Sequence, residues 1–387
     1  MITLQTADKA LKSAYLDVVS EQLNFKTNPF LAKIKQSTEN VWGKDVRQVI
    51  HYGMNGGIGV GDEAGNLPEA KGNMYAEIVV PLKNLYGTIE ISDKAVRASE
   101  NNSGAFVNLL NAEMEGLVKA STLNRARMLY GDSSGLLGKV IGQVSTNVVE
   151  VNNFYNFVEG MSIEFYHEGV RLGDRSYRIK SVNKKANFIY LDQNLVEALT
   201  DNDEIYIQGS KDKELFGLRA IFDETKNLYG LKRNENGWLF PHIEYNIGDI
   251  SEMDMQRVID HLEDSYGSSV DIILCSSGVK RALMEHLSTY KRNFDYMELN
   301  GGFKAMSFNG IPVVSDRFCP PGTMYMLNSK DFTLHQLCDW KWLEGEDGRV
   351  LKQVADKPTY KATLVKYAEL ICSRPCGQAM LTGITEK

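Results

Sequence analysis

Residues 86–132 read YGTIEISDKAVRASENNSGAFVNLLNAEMEGLVKASTLNRARMLYGD. The opening residues alternate, Tyr86, Thr88 and Glu90 against Gly87, Ile89 and Ile91, as a strand half exposed to solvent does. The period then changes. Phe106, Leu110, Met114, Leu117, Ser121 and Met128 recur at near-helical spacing, Asn101-Asn102-Ser103 offers cap chemistry, and Gly131 offers a stop. Glu115 and Lys119 pair at i, i+4. Acidic Glu113 and Glu115 lie toward the start, basic Arg125 and Arg127 toward the end, which suits the helix dipole. About 27 residues at 1.5 Å each make a rod of roughly 40 Å. That is a spine.

Upstream, two extended runs at 74–82 and 85–92, joined by Lys83-Asn84, predict a hairpin. Before them comes 53–72, GMNGGIGVGDEAGNLPEAKG, with seven glycines. Such a stretch loses much chain entropy on ordering and buries little apolar side chain. It either wraps a ligand with its backbone or is an arm that orders against another subunit. Residues 41–50 are strand-like. Residues 6–23 predict a first helix with Thr6 as N-cap, Asp8 at its positive end, and Leu11, Tyr15, Val18 and Gln22 on one face, broken at Asn28-Pro29.

Downstream, short β-rich runs at 140–151, 161–166, 176–182, 188–191 and 204–208 alternate with Asn, Gly and Asp turns, predicting a small barrel or sandwich inserted at 139–213. From Ser251 the pattern is α/β. A helix to Tyr266 has Met255, Val258, Ile259, Leu262 and Tyr266 on one face and Gly267 as its stop. Strand 270–275, helix 279–287 and strand 311–314 follow, then extended runs at 332–337, 350–354 and 362–372. The fold class is α+β.

At 387 residues and 43% hydrophobic, the chain can bury a real core. A net charge of −7 argues against a dedicated nucleic-acid binder, which normally carries a basic face. No apolar run reaches the roughly 20 residues that cross a bilayer. The first residues are amphipathic without the apolar centre of a signal peptide, so a soluble protein made in the cytoplasm is expected. The five cysteines, Cys275, Cys319, Cys338, Cys372 and Cys376, are expected to be reduced and mostly buried.

Candidate chemistry finds bland explanations. Gly59-Val60-Gly61-Asp62-Glu63-Ala64 formally matches a dinucleotide fingerprint, but that chemistry needs a helix directly after the glycines, and Gly65, Pro68 and a strand follow. Gly131 to Gly138-Lys139-Val140 has the wrong spacing for a phosphate loop and no hydroxyl for Mg²⁺. Cys372 and Cys376 lack the partners of a tetrahedral metal site. Ser276 and Ser277, at a strand-to-helix turn after Cys275, read as N-caps; neither His261 nor His286 can be set beside them from the sequence. The acidic run Glu344-Gly345-Glu346-Asp347-Gly348 reads as a solvated hairpin turn. Lys291-Arg292, near Tyr290 and Phe294, is too small for a nucleic-acid site. No catalytic residue, cofactor or metal is expected.

The order of elements is more specific than any motif: an arm, a glycine-tipped loop, a spine helix ending Tyr130-Gly131-Asp132, and an α/β region with Phe308-Asn309-Gly310-Ile311-Pro312-Val313-Val314 followed by Pro320-Pro321-Gly322. This resembles the major capsid protein of tailed bacteriophages, a fold shared with encapsulins. Residues 86–132 resemble that family's extended loop and spine helix. VDIILCSSGVKRALMEHL, and FNGIPVVSDRFCPPGTMYMLNSKDF after it, resemble its axial domain. The match covers roughly 41–132 and 215–384.

The resemblance implies an N-terminal arm (1–42), an extended glycine-tipped β loop (43–92), a peripheral-domain spine helix (93–138), an inserted β domain (139–213), a mainly axial domain (214–340), and C-terminal strands returning to the axial and peripheral domains (341–387). It implies a non-enzymatic subunit that self-assembles, as hexamers and pentamers, into the icosahedral head shell of a virion built in the host cytoplasm. Double-stranded DNA would lie inside without sequence-specific contact, and a portal protein would be a partner. With only about 40 residues before the loop, a separate scaffolding protein is expected rather than a long built-in one. Intersubunit contact is expected at Gly56, Gly57, Gly59, Gly61, Lys71 and Lys83. Some relatives join subunits through a lysine and an asparagine; Lys71 and Lys83 lie in or near the corresponding loop, but no partner or catalytic acid matches. The alternatives are an encapsulin-type compartment and, from another class, an α/β hydrolase or nucleotide-dependent enzyme.

Overall fold

In strand Lys83–Ser92 the residues Leu85, Ile89 and Ile91 are buried and Tyr86, Thr88 and Glu90 exposed, as the alternation predicts. Gly87 shares the buried face. A Cβ there would lie 2.8 Å from Leu117 Cδ1 and 3.2 Å from Ser121 Oγ, both on the spine helix Ser103–Met128. Glycine therefore lets the helix lie directly on the strand. This computed structural model describes residues 28–63, 65–94, 103–290, 296–299, 303–345 and 348–387. The helix expected over 6–23, the cap residues Asn101-Asn102, the pair Lys291-Arg292, and Glu346-Asp347 lie outside the described residues.

Among the described residues there are four sheets. In the peripheral sheet the 14-residue strand Thr359–Cys372 is central. It pairs antiparallel with Phe332–Trp342 on one edge and with Lys83–Ser92 on the other, in register from Thr359↔Ser92 to Ala368↔Lys83. Lys35–Ser37 and Lys352–Gln353 complete the sheet. The run expected at 350–354 shrinks to that two-residue strand.

A second, three-stranded sheet contains Val41–Trp42, Asp45–Gly53 and Met74–Pro81. Here the hairpin expected between 74–82 and 85–92 is corrected. Met74–Pro81 pairs with Asp45–Gly53, whereas Lys83–Ser92 pairs with Thr359–Cys372. The chain leaves one sheet for the other at Leu82, whose N–H donates to the Lys44 carbonyl at 2.8 Å. Alternation reports which face of a strand is buried and says nothing about its neighbour.

Asn28 does not simply break a helix. It starts one: its side chain accepts from the N–H groups of Phe30 and Leu31 and caps the short helix Pro29–Lys33, with Pro29 at the first helical position.

The spine helix ends as Gly131 suggests. The N–H groups of Tyr130 and Gly131 donate to the carbonyls of Arg127 and Met128, at 3.0 and 2.9 Å, tightening the last turn. Leu218 and Ala220 then donate to the Leu129 and Gly131 carbonyls, at 2.7 and 3.2 Å. Gly217 permits that approach, since a Cβ there would collide with the Met128 oxygen.

The third sheet is a closed ring. Tyr177–Asn183 pairs with Phe188–Leu191, then in turn Val148–Val151, Leu136–Ser145, Glu204–Ile207 and Ser162–His167, which pairs back with Tyr177–Asn183. Every pairing is antiparallel, and Val170–Arg171 hangs off Ser162–His167. The run at 140–151 is thus two strands with a turn at Thr146-Asn147. Twelve buried apolar residues, among them Phe157, Ile163, Phe165 and Ile189, fill the interior. It is a barrel.

The fourth sheet runs His242–Glu244, Ala379–Thr382, Thr323–Leu327, Ile272–Cys275, Ile311–Ser315, Phe303–Phe308 and Tyr296–Leu299. Helix Glu252–Tyr266 begins on a capping box, Ser251 with Asp254, and stops at Gly267 (φ 60°). Its face Met255, Val258, Ile259 and Leu262 joins Val279 and Leu283 of helix Ser277–Tyr290 against Ile273 and Cys275; Tyr266, expected on this face, is 41% exposed. Ile272 and Leu274, on the other side of the same strand, enter the core shared with the peripheral sheet. A strand covered on both faces reads as an unbroken apolar run.

Candidate assembly surfaces

The ribbon of Asp45–Gly53 and Met74–Pro81 has an anchored base and a projecting tip. Val46, Ile50, Ile78 and Val80 are buried in the main core, and Tyr52 stacks on Trp238 with ring centroids 5.8 Å apart. On the opposite face the cross-strand pairs are Arg47↔Val79, Val49↔Glu77 and His51↔Tyr75, all exposed. Trp42, Val49, Tyr75 and Val79 are large apolar or aromatic groups left in solvent.

Beyond Gly53 nearly every described residue to Asn73 is exposed, including Met54 (80%), Ile58, Val60 and Leu67 (90%). The two limbs of this tip lie against each other. A Cβ at Gly56 would sit 3.3 Å from the Lys71 side chain, at Gly57 3.3 Å from the Lys71 nitrogen, at Gly59 2.9 Å from Pro68, and at Gly61 3.4 Å from the Asn66 oxygen. These glycines let the two limbs lie close, Gly57 and Gly61 against backbone and Gly56 and Gly59 against side chains, giving a thin arm. No helix follows Gly61 among the described residues before strand Met74–Pro81, so the dinucleotide reading lacks its required context.

Five of the six contact residues expected from the sequence, Gly56, Gly57, Gly59, Gly61 and Lys71, therefore share the tip, whereas Lys83 does not. It begins the peripheral strand Lys83–Ser92, with Nζ 5.5 Å from the centroid of the Phe216 ring. There it lines a cleft of about 550 Å³ between the spine helix, the start of that strand and the segment by which the chain leaves the barrel. Arg125, Asn124 and Trp340 line one side, Ser210, Lys213 and Glu214 the other.

Arg125 and Arg127 stand in the last turn of the spine helix, where the sequence puts them. Both are buried, at 3% and 4% exposure. Burial pulls the Arg125 guanidinium down to about 10. Arg127 forms a buried ion pair with Glu214 and also donates to Asn124 at 2.9 Å. The pair fixes the chain leaving the barrel to the helix entering it. Beside them Asp212 N–H donates to the Ser134 carbonyl at 2.8 Å.

Sequence reasoning missed two charges inside the strand Thr359–Cys372. Lys366 is fully buried, with Nζ 2.9 Å from Asp339 Oδ1, and burial brings its ammonium down to about 8. Glu369 is fully buried too. Its Oε1 accepts from the N–H groups of Phe216 and Leu370, at 2.8 and 2.9 Å, yet burial still pushes the carboxyl up to about 8. The signal was present as two charges within an otherwise apolar run, 362–372.

Enzyme-like candidates do not assemble. Ser276 Oγ accepts from Val279 N–H at 3.3 Å, as an N-cap does, and donates to Glu386, which also accepts from Gly322 N–H at 2.8 Å. His261 lies instead against His242, with centroids 4.2 Å apart and the rings tilted by 36°. All five cysteines are free, four of them buried, and burial pushes the Cys275 thiol up to about 12. Gly138 and Lys139 lie inside barrel strand Leu136–Ser145, which rules out a phosphate loop. Of the acidic run, Gly345 N–H donates to the Arg349 carbonyl at 2.9 Å, and Glu346-Asp347 lie outside the described residues. Among the described residues no group of three His, Cys, Asp or Glu could hold a metal, and no helix is long and apolar enough to cross a membrane.

No family model and no curated protein matches the chain. Solved structures do. A chain of the Cyanophage A-1(L) capsid asymmetric unit superposes with a TM-score of 0.56 at 12% identity, over 95% of this chain and 93% of that one. The capsid of the native GTA particle gives 0.49 at 12% identity (94% and 91% covered), and the SrpI encapsulin of Synechococcus elongatus PCC 7942 gives 0.47 at 10% (93% and 88%). The assignment rests on the first. The chain has the α+β fold of a phage capsid subunit.

Proposed function

We propose that this chain is a shell-building subunit, the major capsid protein of a tailed bacteriophage, which assembles as hexamers and pentamers into an icosahedral head around double-stranded DNA. The observation that carries the reading is the ribbon. The arm and the short strand beside it leave Trp42, Val49, Tyr75 and Val79 exposed on one face, and Met54, Ile58, Val60 and Leu67 exposed at the tip, and grouped exposed apolar residues are what an interaction surface presents. Another copy of the chain is the natural cover, and the capsid fold supports it. In this reading the subunit is structural and not an enzyme, the contacts at Gly56, Gly57, Gly59, Gly61 and Lys71 lie on a neighbour, and a scaffolding protein and a portal are its assembly partners.

The test is expression of the chain alone and together with a candidate scaffolding protein, followed by negative-stain microscopy of the product. Closed shells or capsomers are expected. A strictly monomeric product under every assembly condition overturns the proposal. Shells filled with a host protein in place of nucleic acid would move it to a cargo compartment.

A further inference from the structure

We propose that Asn55-Gly56 is a self-modification site, where the Gly56 backbone nitrogen attacks the Asn55 side-chain carbonyl carbon and converts the asparagine to aspartate and isoaspartate. Water is the only co-reactant. The N–Cγ bond forms, the Cγ–Nδ2 bond breaks, and ammonia leaves with the proton shed by the Gly56 nitrogen. Water then opens the cyclic imide at either carbonyl, so that one water enters for each ammonia released. The inference stands apart from the shell reading and does not need it.

Access is the first ground. Asn55 and Gly56 are both exposed, and glycine sets no Cβ beside the attacking nitrogen. Among the described residues neither Gly56 N–H nor Asn55 Nδ2 donates to any partner, so the attacking and the leaving nitrogen are both unheld. Asn55 Oδ1 is held: it accepts from Gly57 N–H at 2.9 Å. That donor sits where negative charge gathers as the nitrogen adds to the carbonyl, and it stabilises this charge as the backbone N–H groups of an oxyanion hole do. The same bond keeps the carboxamide turned toward the Gly56-Gly57 backbone, which favours attack within the chain.

Contrast is the second ground. Of the other Asn-Gly pairs, Asn300-Gly301 lies outside the described residues. Asn309 is exposed too, but its Nδ2 donates to Gln256 Oε1 at 2.7 Å. Asn309-Gly310 (φ 48° and 79°) is also fixed as the two-residue turn of the hairpin that pairs Phe308 with Ile311. Asn236 Nδ2 donates to the Lys232 carbonyl at 3.0 Å, and its N–H to the Arg233 carbonyl at 2.9 Å, between two short helical turns. In both pairs the leaving nitrogen is tied down.

The consequence falls on the tip. Within 53–72 the acids Asp62, Glu63 and Glu69 face the single base Lys71, hence 1 − 3 = −2, and the reaction makes this 1 − 4 = −3. The isoaspartyl product also inserts a methylene into the main chain of the limb that lies along Lys71. The arm thus changes charge and length with the age of the subunit.

The experiment uses the full folded chain in 18O-labelled water at mildly alkaline pH, sampled over weeks and digested in mild acid to halt the reaction. Peptide mass spectrometry is expected to show Asn55 lost at least tenfold faster than Asn236 or Asn309. The products should be aspartate and isoaspartate carrying a heavy oxygen, the second labelled by isoaspartyl methyltransferase. In urea the unfolded chain should lose all three at similar rates. Loss of Asn55 no faster than Asn309 in the folded chain overturns the inference. So does an equal preference for Asn55 in urea, which would assign it to neighbouring sequence and not to structure. A product that is aspartate alone rules out the cyclic imide. Gly56→Ala, whose methyl would meet only the Lys71 side chain, is expected to slow the loss at least fivefold, and an unchanged rate rules out attack by that nitrogen.

Discussion

The barrel of residues 136–207 and the ribbon of Asp45–Gly53 with Met74–Pro81 are both antiparallel β structures, yet they solve the burial problem in opposite ways. The barrel closes on itself, leaves no long edge, and encloses its own core around Phe157 and Phe165. The ribbon has two long strands, buries only its inner base, and carries its apolar outer face and tip into solvent. A closed sheet is finished within one chain. A two-stranded ribbon is not, because it is marginal alone and needs something to lie on.

The comparison breaks most readily at the barrel core. Phe165→Ala should cost about 3–5 kcal/mol, from lost transfer energy plus the cavity left behind, read as a lower urea midpoint for the barrel. A barrel unaffected by that truncation would not be a self-sufficient core. Next is the seat of the spine helix. Gly87→Val places methyl groups where Leu117 and Ser121 already lie and should cost about 1–3 kcal/mol in thermal denaturation. An unchanged melting temperature would mean that the helix does not bear on this strand.

The third effect is a pH slope. The Glu369 carboxyl titrates near 8 in the folded chain against 4.5 for the free group, so the folded state holds the extra proton between those values. Stability from this group is full below about pH 4.5 and falls as pH rises toward 8. Between pH 6 and pH 7 the loss should be about 1 kcal/mol, the ceiling for one proton being about 1.4 per unit. Lys366 acts later and with the opposite sign. Its ammonium titrates near 8 folded against 10.5 free, so stability rises over that window. Urea midpoints across pH 5–10 should show the fall and then the rise, and Glu369→Gln should remove only the first.

The smallest effect on the subunit itself belongs to the tip. Val60→Ser with Leu67→Ser should leave monomer stability within about 0.5 kcal/mol, since both residues are already in water. Sedimentation should nevertheless show assembly lost. Together with the barrel substitution this separates a surface that stabilises the chain from one that joins chains.

Much of the fold was legible because local chemistry and burial agreed. Ser251 with Asp254, the face Met255 to Leu262, and Gly267 define one helix from start to stop without tertiary information. The spine and the run of short strands were legible for the same reason. Pairing was not. Met74–Pro81 and Lys83–Ser92 alternate alike, and only the distant strand Thr359–Cys372 decides which sheet receives the second. Arg125 and Arg127 suit the negative end of a helix, and no local signal shows that both are interior or that Arg127 meets Glu214 of the returning chain. Of the candidate assembly surface, the glycines marked the arm, but the cleft draws its walls from residues 82–86, 121–128, 207–214 and 340, which no local window contains.

The short bond between Asp212 and the Ser134 carbonyl has one more consequence. The chain departs for the barrel and comes back at nearly the same point, so the peripheral framework meets it as a single closed stem. Such a stem is a grafting point. Excising 135–211 and bridging the stump with a short Gly-Ser link, or with a foreign domain whose ends lie equally close, should leave the spine helix and both other cores folded, as circular dichroism of the trimmed chain would report.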